Sequence, residues 1–274
     1  RIDSRARSVT FEGVRWPPWN RYLAAECPLR FENLRSAFLR PGEWFCDDRA
    51  GRILYRLRPG ETAATLKADA PARKLSKLLA MNGTHDIVFE NLTFAYADAP
   101  QAKGDDPKKH NQTWQSQSAG DYDAAVSVYR GENVVFRDCR VERSGNYGFR
   151  IGDGCRRVTL ERCETFDTGA GGVWLGADGL YPDREHRSRR VIREMYPESC
   201  ASNVIADCTF RMGGRFQPEG TAVFVTHASD NLITHNLIDD FYYSGITVGY
   251  TWGYKGSVAQ RNRIAYNRIS RLGQ

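Results

Sequence analysis

The chain has 274 residues, of which 41% are hydrophobic, 26% charged and 12% aromatic, with a formal net charge of +6. That apolar and aromatic content excludes a disordered chain, and no stretch approaches the roughly 20 apolar residues that span a bilayer. The 25 glycines favour a turn-rich β protein over a helical one.

Residues 1–84 show no repeat. Phe31 to Leu39 predicts a short helix, and residues 41–57 predict a hairpin turning around Ala50-Gly51. We read 1–84 as a small β-rich module expected to cover one open end of the remaining chain. Arg1 opens the chain without a leader-type segment, and Arg268 to Gln274 read like the middle of an element. A fragment of a longer protein is therefore expected.

From residue 85 onward the sequence repeats. Six segments align on one small or polar residue: Asn91, Cys139, Cys163, Cys208, Asn236 and Asn267. Three positions earlier the column is apolar in every copy: Val88, Phe136, Leu160, Ile205, Ile233, Ile264. A second alternating strand follows at Phe149-Arg150-Ile151, Val173-Trp174-Leu175, Val223-Phe224-Val225 and Ile246-Thr247-Val248, with Val126-Ser127-Val128 as an earlier partner. Copies are spaced 24 to 48 residues apart. A shortest unit near 24 residues with two or three short strands predicts an all-β fold, a right-handed parallel β-helix over 85–274. Its coils stack about 4.8 Å apart, and only stacking buries their apolar face. The seven cysteines are odd in number and lack a C-x-x-C pair, which speaks against a disulfide framework or zinc ribbon. Cys139, Cys163 and Cys208 read as an interior column of reduced thiols. The longer copies carry insertions over about 98–122 and 178–200. The second is rich in arginine, a charged surface or a patch for an anionic sugar.

Four positions past the aligned column come Ala95, Arg143, Asp167, Met212, Asp240 and Arg271. Asp167 and Asp240 share this address two coils apart, about 9–10 Å by regular stacking. Paired carboxylates near that separation suit glycoside hydrolysis. The structural alternative is a pair of ion pairs, Asp167 with Arg143 and Asp240 with Arg271. Asp239 rivals Asp240, and Glu219 and His235 are minor candidates. The nearby Gly169–Gly172, Gly213-Gly214 and Tyr242–Gly245 runs would let backbone approach a ligand. Arg150, Trp174, Phe224 and Thr247 fall on outward positions of the second strand. Trp174 would stack a sugar ring, unless the 178–200 insertion covers it. His227, Tyr243, Tyr250 and Trp252 complete the candidate binding set, with His227 as a base or hydroxyl ligand.

The segment from Asn231 to Tyr254 together with Asn262 to Gln274 resembles the β-helix proteins of secreted bacterial carbohydrate enzymes, glycoside hydrolase family 141 and its relatives above all. Residues 41–57 and Gly169–Gly176 are also similar to segments of that group. The resemblance implies hydrolysis of plant-type glycans, a secreted or periplasmic location, and a pair of groove aspartates, one being Asp240 and the other lying past Gln274. Two other functions compete. A polysaccharide lyase would need a uronate substrate and Ca²⁺ or a basic side chain, for which Asp47-Asp48 and Asp105-Asp106 are thin support. A non-catalytic carbohydrate-binding stack needs neither. The expected partner is an oligo- or polysaccharide. No nucleic acid, membrane span, metal or cofactor is expected, and the chain is read as a monomer.

Overall fold

The computed structural model describes residues 2–3, 5, 8–9, 33–47, 49–67, 75–99, 118–120, 122–177, 200–249 and 257–273. Most of the two predicted insertions lies outside the described residues, as do Tyr250, Trp252, Asp105, Asp106 and Cys27. The chain divides into two compact units, 1–72 and 73–274.

The first unit holds a two-stranded antiparallel ribbon, β1 (Ile2–Asp3) with β2 (Ser8–Val9), and a hairpin, β3 (Trp44–Asp47) with β4 (Arg52–Tyr55). Where the sequence predicts a helix over 31–39, the described part forms a single 3₁₀ turn, Arg35–Ala37. The Glu43 carboxylate takes the backbone N–H groups of Leu39 and Arg40. Asn33 exchanges two hydrogen bonds with the Cys46 backbone. These local acceptors satisfy backbone that a longer helix would have used.

The second unit is built from six coils, each contributing one strand to each of three parallel sheets. Sheet I contains β5 (Leu79–Asn82), β8 (Ala124–Tyr129), β11 (Tyr147–Ile151), β14 (Val173–Leu175), β18 (Val223–Val225) and β22 (Ile246–Val248). Sheet II contains β6 (His85–Glu90), β9 (Glu132–Arg137), β12 (Thr159–Glu161), β16 (Val204–Ala206), β20 (Leu232–Thr234) and β23 (Arg263–Ala265). Sheet III contains β7 (Thr93–Ala95), β10 (Arg140–Ser144), β13 (Glu164–Thr168), β17 (Thr209–Gly213), β21 (Leu237–Phe241) and β24 (Arg268–Leu272). A short pair, β15 (Cys200–Ala201) with β19 (Ala228–Ser229), precedes sheet II in the fourth and fifth coils. The coils begin at Leu79, ahead of the boundary expected at 85.

The interior is the sum of the inward columns. Phe89, Phe136, Leu160, Ile205, Ile233 and Ile264 register in sheet II. Phe94, Val141, Thr165, Phe210, Ile238 and Ile269 register in sheet III. The first coil corrects the predicted alignment by one residue, since Phe89 and not Val88 opposes Phe136. The Phe89 ring stacks on Phe136 at 4.9 Å, while Val88 is 58% exposed. In a strand a one-residue slip exchanges the faces, so the ring with more apolar area takes the inside.

Two hydrogen-bonded ladders lock the coils. In one, the Val158 N–H donates to Asn203 Oδ1, Asn203 N–H to Asn231 Oδ1, and Asn231 N–H to Asn262 Oδ1, at 2.9, 2.9 and 3.1 Å. In the other, Cys208 N–H donates to Asn236 Oδ1 at 2.9 Å and Asn236 N–H to Asn267 Oδ1 at 3.0 Å. Cys139, Cys163 and Cys208 extend this second column, all buried, with thiols aimed at backbone carbonyls 3.2–3.3 Å away. Burial pushes the Cys208 and Cys200 thiols well up, and Cys155 up to about 11. These are packing residues, not nucleophiles.

Candidate functional site

Each strand of sheet III carries a left-handed residue at or near its end: Tyr96, Arg143, Asp167, Met212, Asp240 and Arg271, with φ between 49° and 64°. The address read from the sequence is therefore a corner of the coil, and its first member is Tyr96 rather than Ala95. Aspartate tolerates this backbone better than most side chains. Asp167 and Asp240 occupy the same corner two coils apart, with Met212 between them.

The ion pairs differ from those the sequence predicts. Arg271 binds Asp239, with Nε 2.8 Å from Oδ1 and Nη2 on Oδ2, and Ser270 Oγ donates to the same carboxylate at 2.9 Å. This pairing holds Asp239 down to about 2, a stable anion rather than a proton carrier. Arg143 reaches Tyr96 Oη at 2.9 Å and Glu142 at 3.1 Å. Among the described residues the Asp167 carboxylate has no ion-pair partner.

Asp240 pairs with a residue that the repeat does not point to. Arg215 Nη2 lies 2.5 Å from Asp240 Oδ2, with both side chains partly buried. Arg215 sits in the loop after β17, and the backbone aims it. Gly214 N–H donates to Ala170 O, Arg215 N–H to Thr168 O, and Phe216 and Gln217 N–H groups to Gly169 O. The guanidinium also lies over the Tyr242 ring at 5.0 Å. Glu219 belongs to the same loop, and partial burial raises its carboxyl above the ordinary range. A raised carboxyl is the direction that favours a proton donor over a nucleophile. The only sequence signal for Arg215 is its place directly after Gly213-Gly214.

The glycine runs serve the chain's own packing. A Cβ on Gly172 would meet the Phe210 ring at 2.5 Å and the Ala222 carbonyl at 2.6 Å. One on Gly169 would meet the Gly145 carbonyl, and one on Gly171 the Tyr147 ring.

The outward face of sheet I also departs from expectation. Ser127, Arg150, Trp174, Phe224 and Thr247 stack in register, but Arg150 is 1% and Trp174 5% exposed. The sequence marks both as sugar contacts, and both are buried. Arg150 packs flat on Trp174, its Cζ 3.6 Å from the ring centroid. Trp174 joins Tyr147, Phe224, Ala119 and Tyr122 in a second apolar cluster. Tyr147 Oη donates to Ser118 O, and Ser118 bridges to Gly220. The segment entering β8 thus covers the face on which a sugar is expected to stack. His227 is buried beside this cluster's strands, in the turn between β18 and β19, and burial lowers its imidazole. Tyr243, three residues past Asp240, is 40% exposed and open to a ligand.

Among the described residues no helix is long and apolar enough to cross a membrane. No family model matches the sequence, and no curated protein matches it. A solved structure of a glycoside hydrolase superposes with a TM-score of 0.58 at 23% identity, over 80% of this chain and 41% of that one. The likeness is one of fold, and the chain spans well under half the length of that protein.

Proposed function

We propose that this chain is a glycoside hydrolase built on a right-handed parallel β-helix, acting on a plant-type or other complex glycan. Parallel crossover connections are right-handed in nearly all proteins, which supports the handedness. The resemblance to family 141 and the shared fold with a glycoside hydrolase support the reaction class. The observation that carries the reading is the Arg215–Asp240 pair on the corner column that also bears Asp167.

In this reading Asp240 is one reacting carboxylate, its orientation set by the Arg215 guanidinium. Asp167 is the second, two coils along the column, and Glu219 is its rival as proton donor. Regular stacking separates the two aspartates by about 9–10 Å at Cα, a spacing from which side chains reach the range used for inversion with an intervening water. Tyr243, with Tyr250 and Trp252 beyond it in sequence, supplies ring contacts to the sugar. The protein works as a secreted or periplasmic monomer.

The test is product analysis on a panel of glycans, with Asp240→Asn, Asp167→Asn and Glu219→Gln compared with wild type. New reducing ends without ultraviolet-absorbing products, lost in Asp240→Asn, are the expected result. Unsaturated products would replace hydrolysis by lyase chemistry. Wild-type rates in Asp240→Asn would overturn the assignment.

A further inference from the structure

The outer face of sheet III near its last strands carries an open hollow of about 470 Å³, lined by Arg211, Leu237, Asp239, Arg268, Ser270 and Arg271. The size is that of a small-ligand site. Three of the six lining residues are arginines and one is an acid. The acid is fully engaged, since Arg271 and Ser270 occupy both Asp239 oxygens. Among the described residues, Arg211 and Arg268 form no ion pair. Arg211 stands directly between Phe166 and Asp239 in register, and Arg268 directly beside Leu237.

Three guanidiniums face one carboxylate here, and Arg211 on β17 and Arg268 on β24, with β21 between them, stand outside any ion pair among the described residues, so the local field is positive. Guanidinium binds carboxylate and sulfate through paired N–H donors. Leu237 offers an apolar floor between them, on which the C–H face of a sugar ring packs. The hollow also adjoins the proposed reacting group: Asp239 precedes Asp240 in the chain, and Arg271 follows it on the corner column.

The geometry points to a subsite for an acidic saccharide, in which Arg211 and Arg268 hold the carboxylate or sulfate of a residue neighbouring the bond at Asp240. The substrate class rests on the hydrolase reading, but binding at the subsite is measured apart from turnover. Arg271 is not part of the anion clamp, because its Nε and Nη2 are held by the Asp239 carboxylate, which neutralises its charge.

The experiment is calorimetry on the whole chain carrying Asp240→Asn, with three oligosaccharides of equal length: an oligogalacturonide, a sulfated chondroitin fragment and a neutral xylo-oligosaccharide. At least one acidic oligosaccharide should bind about tenfold or more tightly than the neutral one, and more weakly as salt rises. Arg211→Met with Arg268→Met should abolish that preference and leave neutral binding unchanged. Preference for the oligogalacturonide assigns the site to carboxylates, and preference for the chondroitin fragment to sulfates. Both side chains are exposed, so the double variant should keep the wild-type melting curve. Equal affinity for acidic and neutral sugars, binding of neither, or an acidic preference that survives the double substitution would each overturn the subsite. Acidic preference without turnover by the Asp240 chain would instead remove the hydrolase reading and leave the subsite standing.

Discussion

Arg215 and Asp240 meet across the boundary between the fourth and fifth coils, Nη2 2.5 Å from Oδ2, Arg215 in the loop after β17 and Asp240 within β21. The pair ties an irregular loop to a regular corner. On the hydrolase reading proposed above, replacing Arg215 by Met should lower kcat/KM by about ten- to a hundredfold, while stability falls by roughly 1 kcal/mol, as for a partly exposed ion pair. Steady-state kinetics and urea unfolding measured on one preparation separate the two effects. Unchanged kinetics with lowered stability would make Arg215 a strut only.

Asn231 is buried and stands mid-ladder, accepting from both the backbone and the side-chain amide of Asn203 and donating to Asn262 Oδ1. Asn231→Ala orphans the buried Asn203 backbone N–H, while the Asn203 side-chain amide keeps Cys155 O and Cys200 Sγ. The expected loss is about 1–3 kcal/mol. Asn267→Ala, in the partly exposed sixth coil, should lose less. Denaturant midpoints for the two variants provide the comparison, and equal losses would show that the ladder adds nothing beyond side-chain packing.

The His227 imidazole is pushed below its ordinary 6.5 by burial. Below about 6.5 the unfolded chain takes up a proton that the folded chain resists, so the unfolded state binds more protons there. The histidine's contribution to stability is thus complete above that pH and is lost on acidification. Urea midpoints taken from pH 7.5 to 5.5 should fall more steeply for wild type than for His227→Gln. Parallel slopes would mean that the ring titrates normally.

Cys139, Cys155, Cys163, Cys200 and Cys208 are buried, whereas Cys46 is only partly covered. Brief alkylation of the native protein followed by peptide mass spectrometry should label Cys46 and spare those five, which react after unfolding. Labelling of Cys163 or Cys208 in the native state would mean that the second ladder opens locally.

Much of the coil architecture is legible in the sequence because stacking repeats the same environment at the same address. The second strands register as their alternation predicts, from Val126 through Phe149, Val173 and Val223 to Ile246. The first coil slips because Val88 and Phe89 are both apolar and Asn91 imitates the asparagine column. Alternation alone cannot choose between two adjacent apolar residues, whereas ring area against Phe136 does. Trp174 and Phe224 face outward as alternation requires, yet Ala119 and Tyr122 cover them from an insertion with no period. Arg215 escapes for the same reason: loop contacts are set by where the backbone is tied, at Thr168, Gly169 and Ala170, and no spacing rule anticipates them.

The left-handed corners of sheet III carry tyrosine, arginine, aspartate, methionine, aspartate and arginine on nearly the same backbone. Strand registry is thus independent of what stands at the corner. An acid, a base or a neutral side chain can be exchanged there while the ladders on either side keep their bonds. On such a scaffold a reactive group can migrate by one coil through two substitutions, with no insertion and no change of fold. The place of the chemistry along the stack is then a matter of descent, free to differ between proteins whose strands superpose.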